Sequence, residues 1–162
     1  MVLYGVPSVY QLTSKSKALI FANQRQEKIR LDQIMHDITV IDMAICFMKY
    51  LDLSPSEVKT EKQLHQVNGF GMRTHHPDFI FTKDNKSYAV EVELSIKAKA
   101  RLEKNIKANF LKYDIQVWIT DEPSSPNGAK LTRILENYKM LYPNIKVSNI
   151  KEMNDYGFRF NN

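Results

Sequence analysis

The 162-residue chain has a single cysteine, Cys46, so it forms no internal disulfide and fits a reducing compartment. Five glycines and six prolines are too few for a collagen-like or low-complexity chain. No apolar run reaches the ~18 residues that a membrane span needs, which argues against an integral membrane protein. The opening Met1-Val2-Leu3-Tyr4-Gly5-Val6-Pro7 has neither a basic segment nor a long apolar one. It does not read as a secretory leader, and the expected location is the cytoplasm. No segment recurs at the ~20–50-residue period of solenoids and propellers. A phosphate-cradling loop is missing too, because Asn68-Gly69-Phe70-Gly71 lacks the following Lys-Ser/Thr.

Apolar residues make up 43% of the chain and charged residues 25%, which excludes wholesale disorder and leaves room for one real core. Lys and Arg number 23 against 18 Asp and Glu, giving +5. A basic balance favours polyanionic partners, but the placement of the charge says more than its total.

The pattern divides the chain into an N-terminal β hairpin or arm over residues 1–25 and an α/β domain over 26–162. Val9-Tyr10-Gln11-Leu12-Thr13 alternates like a short strand, and Ala18-Leu19-Ile20-Phe21 follows it. From about Glu27 to Leu51, apolar residues recur at three- and four-residue steps through Leu31, Ile34, Met35, Ile38, Ile41, Ile45 and Met48. That spacing predicts a long helix packed across a sheet, interrupted by Ser54-Pro55. Phe79-Ile80-Phe81-Thr82, the turn Lys83-Asp84-Asn85-Lys86 and the strand Ser87–Ser95 form the best hairpin signal. A helix follows over Lys97–Leu111 with Ala98, Leu102, Ile106 and Phe110 on one face. Next come a strand over Ile115–Thr120 and a loop through Gly128. A further helix is marked by Leu131, Ile134, Leu135, Tyr138 and Leu141, and a last strand covers Ile145–Ile150. A hairpin followed by crossover helices predicts a mixed sheet, with the Ile115 strand parallel to its neighbour.

The strand after the turn carries the chemistry. With a period of two, Tyr88, Val90, Val92 and Leu94 share one apolar face, and Ala89, Glu91, Glu93 and Ser95 share the other. Two carboxylates about 7 Å apart on one face repel each other. Asp78 begins the preceding strand, and the Asp84-Asn85 turn folds it back towards Glu91, so three carboxylates converge at one end of the sheet. Mg²⁺ or Mn²⁺ takes oxygen ligands of this kind and activates a water against a phosphodiester. The competing reading is a solvated strand face. The next helix is basic: Lys97, Lys99, Arg101, Lys104 and Lys107 stand against Glu103, with Lys97, Arg101 and Lys104 expected on one stripe. That helix suits phosphate neutralisation, or equally a solvated face paired with the strand.

Pro77-Asp78 followed by Glu91-Val92-Glu93 resembles the PD-(D/E)xK nuclease core. The longer run His75-His76-Pro77-Asp78, Ala89–Lys97 and Arg101-Leu102, with His36-Asp37 and Thr60-Glu61, resembles the replication-relaxation proteins of plasmids and integrative elements. Gly5–Thr13 is similar to the wing that ends their winged-helix domain. The resemblance implies a three-layer, restriction-endonuclease-like α/β core with a mixed sheet and an N-terminal wing remnant. It implies a DNA-binding protein of a mobile genetic element, acting in plasmid mobilisation or replication. Such a protein is either a metal-dependent nuclease or nickase, or an inactive accessory factor. Asp78 and Glu91 are then the metal ligands for Mg²⁺ or Mn²⁺, and Glu93 and Lys97 complete the catalytic set. Lys97, Lys99, Arg101 and Lys104 contact DNA, while Glu61 and His76 are accessory. The implied partners are DNA and a relaxase or replication proteins, with a homodimer as a further option that no exposed apolar helix demands.

Two departures from the pattern stand out. Glu93 occupies the position of the nuclease lysine, for which Lys97 is a candidate substitute. The winged helix has no recognition helix, so the chain is either part of a longer protein or relies on a partner to read DNA. A third reading, from another class, is a protein–protein adaptor whose carboxylate face binds a basic partner. The four histidines, His36, His65, His75 and His76, have no zinc-finger spacing. The tail Tyr156–Phe160 is placed to stack on bases or to dock on its own domain.

Overall fold

The structure is a computed structural model that describes residues 33–68 and 75–157. The N-terminal hairpin, the first residues of the expected long helix, the Gly69–Gly71 loop and the tail from Phe158 lie outside the described residues. Everything described belongs to the second of two compact units, Gln33–Asn162.

Helix α1 spans Ile34–Leu51 and ends with Asp52 in the left-handed conformation, where the Leu53 amide donates to the Met48 carbonyl. Its sheet-facing residues are Met43, Ala44, Phe47 and Leu51. The three- and four-residue stripe read from the sequence is split: Ile34 is buried and Met48 packs on the core, while Met35, Ile41 and Ile45 are exposed at 48%, 59% and 51%. This corrects part of the expected stripe, and the expectation that no apolar helix is exposed. The helix is apolar on both sides, so periodicity alone could not choose between them. Phe47 decides it, because its ring seats against Phe79 and Phe81 at centroid distances of 5.7 and 5.3 Å.

After α1 come β1 (Lys59–Thr60), α2 (Glu61–Asn68), β2 (Phe79–Lys83) and β3 (Lys86–Glu93). The hairpin between β2 and β3 turns through Asp84 and Asn85 at φ 50° and 58°, a conformation that Asp and Asn tolerate in tight turns. Then follow α3 (Lys99–Phe110), β4 (Ile115–Thr120), α4 (Pro126–Tyr138), β5 (Ile145–Asn149) and α5 (Ile150–Tyr156).

The protein is α/β, with a five-stranded mixed sheet in the order β1-β2-β3-β4-β5. The first two pairings are antiparallel. The last two are parallel, as the crossover helices predict. Each face of the sheet has its own core. Tyr88, Val90, Val92 and Ile119 pack beneath α1 and Met153 of α5. Trp118 and Ile145 pack beneath α3 and α4 through Leu102, Ile106, Leu131 and Leu135.

Three boundaries differ from the reading of the sequence. Helix α4 begins inside the expected loop: Ser125 Oγ accepts from the Gly128 amide at 3.1 Å, and Pro126 fills the first turn. A Cβ at Gly128 would collide with the carbonyl oxygens of Asp121 and Glu122, so the chain passes there only as glycine. Leu141, expected within this helix, lies beyond α4 and is 69% exposed. The last helix, α5, was not anticipated. Asn149 starts it by accepting from the Glu152 amide at 2.9 Å.

Candidate functional site

Asp78 is the residue before β2, one step beyond the Phe79↔Val90 pair, so the hairpin carries it back to Glu91 as its spacing predicts. The Val92 amide donates to Asp78 Oδ2 at 2.7 Å. From α1, His36 Nε2 lies 2.9 Å from the Val92 carbonyl oxygen and 3.7 Å from Asp78 Oδ2. Burial, followed by the charge of Glu91, pushes the Asp78 carboxyl up from 3.8 to about 7. The Val92 hydrogen bond, His36 and Lys97 oppose that rise.

Glu91 and Glu93 are not on a solvated face. They are 4% and 2% exposed, which removes the bland reading of the strand. Glu91 Oε1 takes two partners: His75 Nε2 at 2.6 Å and the Asn109 amide of α3, which donates at 2.8 Å. Tyr113 is close enough that burial and the Glu91 charge both raise its hydroxyl pKa. Glu93 turns to Lys97, whose Nζ is 2.5 Å from Oε2. The contact is an ion pair that lacks hydrogen-bond alignment, and Oε2 is buried with no other bond.

The three predicted carboxylates therefore separate into a pair and a single. Asp78 and Glu91 are register neighbours, with His36 beside Asp78 and His75 beside Glu91, and Glu93 is paired with Lys97. Among the described residues, no three His, Cys, Asp or Glu side chains come together as a metal-ligating group.

Lys97 also corrects the expected basic stripe. It precedes α3, because Ala98 is extended at φ −53°, ψ 133°, and its ammonium faces the carboxylates. Lys99, Arg101 and Lys104 do lie on α3 and are exposed. Glu61 meets Asp78 only through the backbone, its amide donating to the Asp78 carbonyl at 2.9 Å. Its carboxylate pairs with His65 at 3.4 Å. His76 packs edge-on against His65 with ring centroids 4.5 Å apart. Burial, then the charge of His65, lowers its pKa. The histidine at Glu91 is its neighbour, His75.

Asn109 escaped the reading of the sequence, although a signal exists. Leu102, Asn105, Ile106 and Asn109 follow i, i+3, i+4, i+7 and are all buried, so two amides stand in an apolar stripe. A buried amide needs a partner, and for Asn109 that partner is Glu91. No protein family, curated protein or solved structure matches the chain.

Proposed function

We propose that the protein binds DNA and hydrolyses its phosphodiesters with a divalent metal ion. It would do so on a restriction-endonuclease-like scaffold, as an endonuclease or nickase of a mobile genetic element in mobilisation or replication. The observation that carries this reading is the Asp78–Glu91 pair. Burial first, and then the charge of Glu91 opposite it in the hairpin register, pushes Asp78 up to about 7. Mg²⁺ uses one or two carboxylates, with waters and phosphate oxygens completing its shell. Asp78 and Glu91 supply that donor set, and a cation would remove their repulsion. Such an ion, when bound, lowers the pKa of a water and stabilises charge on phosphoryl oxygens.

The chain's own residues supply the rest. His75 and Asn109 fix Glu91 through Oε1. The Val92 amide fixes Asp78. Lys97 brings an ammonium to the end of β3, where the nuclease pattern has its lysine two residues after Glu91. Lys99, Arg101 and Lys104 present exposed positive charge to flanking phosphates.

A second reading is an inactive accessory factor on the same scaffold. The Lys97–Glu93 ion pair favours it, because an ammonium held by a buried carboxylate is withdrawn from phosphate. The adaptor reading needs surface carboxylates, and Glu91 and Glu93 are buried.

Mn²⁺ calorimetry on the wild type beside Asp78→Ala with Glu91→Ala tests the proposal. Expected is saturable binding, lost in the double variant, together with Mn²⁺-dependent nicking of supercoiled DNA. Absence of Mn²⁺ binding, with or without an added DNA duplex, would sink it. Salt-dependent DNA affinity without cleavage would move the conclusion to the accessory factor.

A further inference from the structure

A groove of about 560 Å³ lies between α3 and α4, and at one point it reaches Lys97, the partner of Glu93. Leu102 and Ile134 line it from the two helices, with Ile96 and Leu141 beside them. Those last two are 38% and 69% exposed, so this surface is aliphatic and open. Besides the paired Lys97, two lysines border it from opposite helices, Lys99 on α3 and Lys130 on α4. Among the described residues, neither forms an ion pair. The wider surface has the same sign. Lys99, Arg101, Lys104, Lys107, Lys130 and Arg133 stand on the two helices against Glu103 and Glu136.

We propose that this groove receives the apolar face of an acidic amphipathic helix from a partner protein. A groove between two helices, lined by aliphatic side chains and bordered by lysines from both, suits a helix that docks by its i, i+3, i+4, i+7 side chains. The lysines select acidic residues flanking that stripe, which gives the partner its charge. A nucleic-acid strand fits less well, because bases need an exposed aromatic surface to stack on. The aromatic residue lining the groove, Tyr138, is buried, and its hydroxyl donates to Glu103 at 3.4 Å. The inference needs no metal at Asp78, although an acidic helix here would compete for Lys99 with the phosphates of the proposed DNA surface.

The probe is a labelled synthetic helix with leucines at i, i+3, i+4 and i+7 and glutamates elsewhere, titrated with the full chain by fluorescence anisotropy. Saturable binding is expected. Leu141→Asp should weaken it by about tenfold or more. Lys99→Glu with Lys130→Glu should do the same, and a helix with lysines replacing the glutamates should not bind. All three substitutions are at exposed positions, and a thermal melt matching the wild type confirms that each variant is folded. Three results would overturn the proposal: no binding of the acidic helix, equal binding of the basic helix, or affinity unmoved by either variant. A labelled single-stranded oligonucleotide whose affinity drops with Leu141→Asp would also overturn it and give the groove to nucleic acid.

Discussion

The two faces of β3 are equally dry and built from opposite materials. Val90 and Val92 are 0% and 1% exposed, and Glu91 and Glu93 between and beyond them 4% and 2%. The apolar face needs only shape, and the rings of Phe47, Phe79 and Phe81 supply it. The carboxylate face needs a specific partner for each acid, because a buried charge without one is costly. Glu91 has His75 and Asn109, Glu93 has Lys97, and Asp78 has the Val92 amide and His36. Apart from the Val92 amide of β3, those partners come from α1, α3 and the segments flanking the hairpin. A strand position that holds an acid in a core is thus a statement about several distant residues. Hydrogen bonding on this face is least complete at Glu93 Oε2, while Asp78 and Glu91 keep partners but carry like charge.

The largest effect belongs to the apolar face. Phe47→Ala leaves a cavity between α1 and the sheet and is expected to destabilise by about 3–5 kcal/mol. The urea midpoint should fall sharply, and a small change would mean that the core beneath α1 is loosely packed.

Next comes Asp78→Asn, which should stabilise. The Asp78 carboxyl titrates at about 7 in the folded chain against an ordinary 3.8. Between those values the folded chain holds a proton that the unfolded chain has released, so wild-type stability falls as pH rises from about 4 to 7. Asparagine removes that fall and can still accept from the Val92 amide. The variant should exceed wild type by about 2–4 kcal/mol at pH 8 and match it near pH 3.5. A pH-independent difference between the two would refute the assignment.

Lys97→Met should cost about 1–3 kcal/mol, because Glu93 is then buried without its counter-charge. Adding Glu93→Gln should recover most of the loss. Failure of that rescue in a double-mutant cycle would show that Lys97 acts through packing and not through the pair.

Asn109→Ala, which removes one of two donors to Glu91 Oε1, is expected to cost about 1–2 kcal/mol. Chemical denaturation reads that loss directly. Replacing an exposed cation of the same helix, as in Lys104→Ala, should stay within about 0.5 kcal/mol and sets the baseline for the series.

Much of this arrangement was legible in the residues. Period-two alternation placed Val90 and Val92 opposite Glu91 and Glu93, and the Asp84-Asn85 turn brought Asp78 back to Glu91. The length of the segment after β3 made β4 parallel. Other features were hidden for identifiable reasons. Helix α1 is apolar on two sides, so its stripe could not say which one meets the sheet. Lys97 looked like the first residue of a helix, until the extended Ala98 turned it toward Glu93. His75 and His76 are adjacent, and only the approach of α2 decides that His76 packs on His65 while His75 meets Glu91.

The sequence by itself determined the order of most elements, the mixed sheet and the strand face that bears the acids. Those follow from local periodicity, turn chemistry and crossover length, which act over a few residues. The tertiary structure alone decided that this face is buried and that Glu93 is neutralised while Asp78 is not. It also decided that Asn109 belongs to the site. The physical reason is that desolvation and charge pairing depend on what arrives from elsewhere in the chain: His36 lies 42 positions before Asp78, and Asn109 lies 18 after Glu91. No local pattern records that distance.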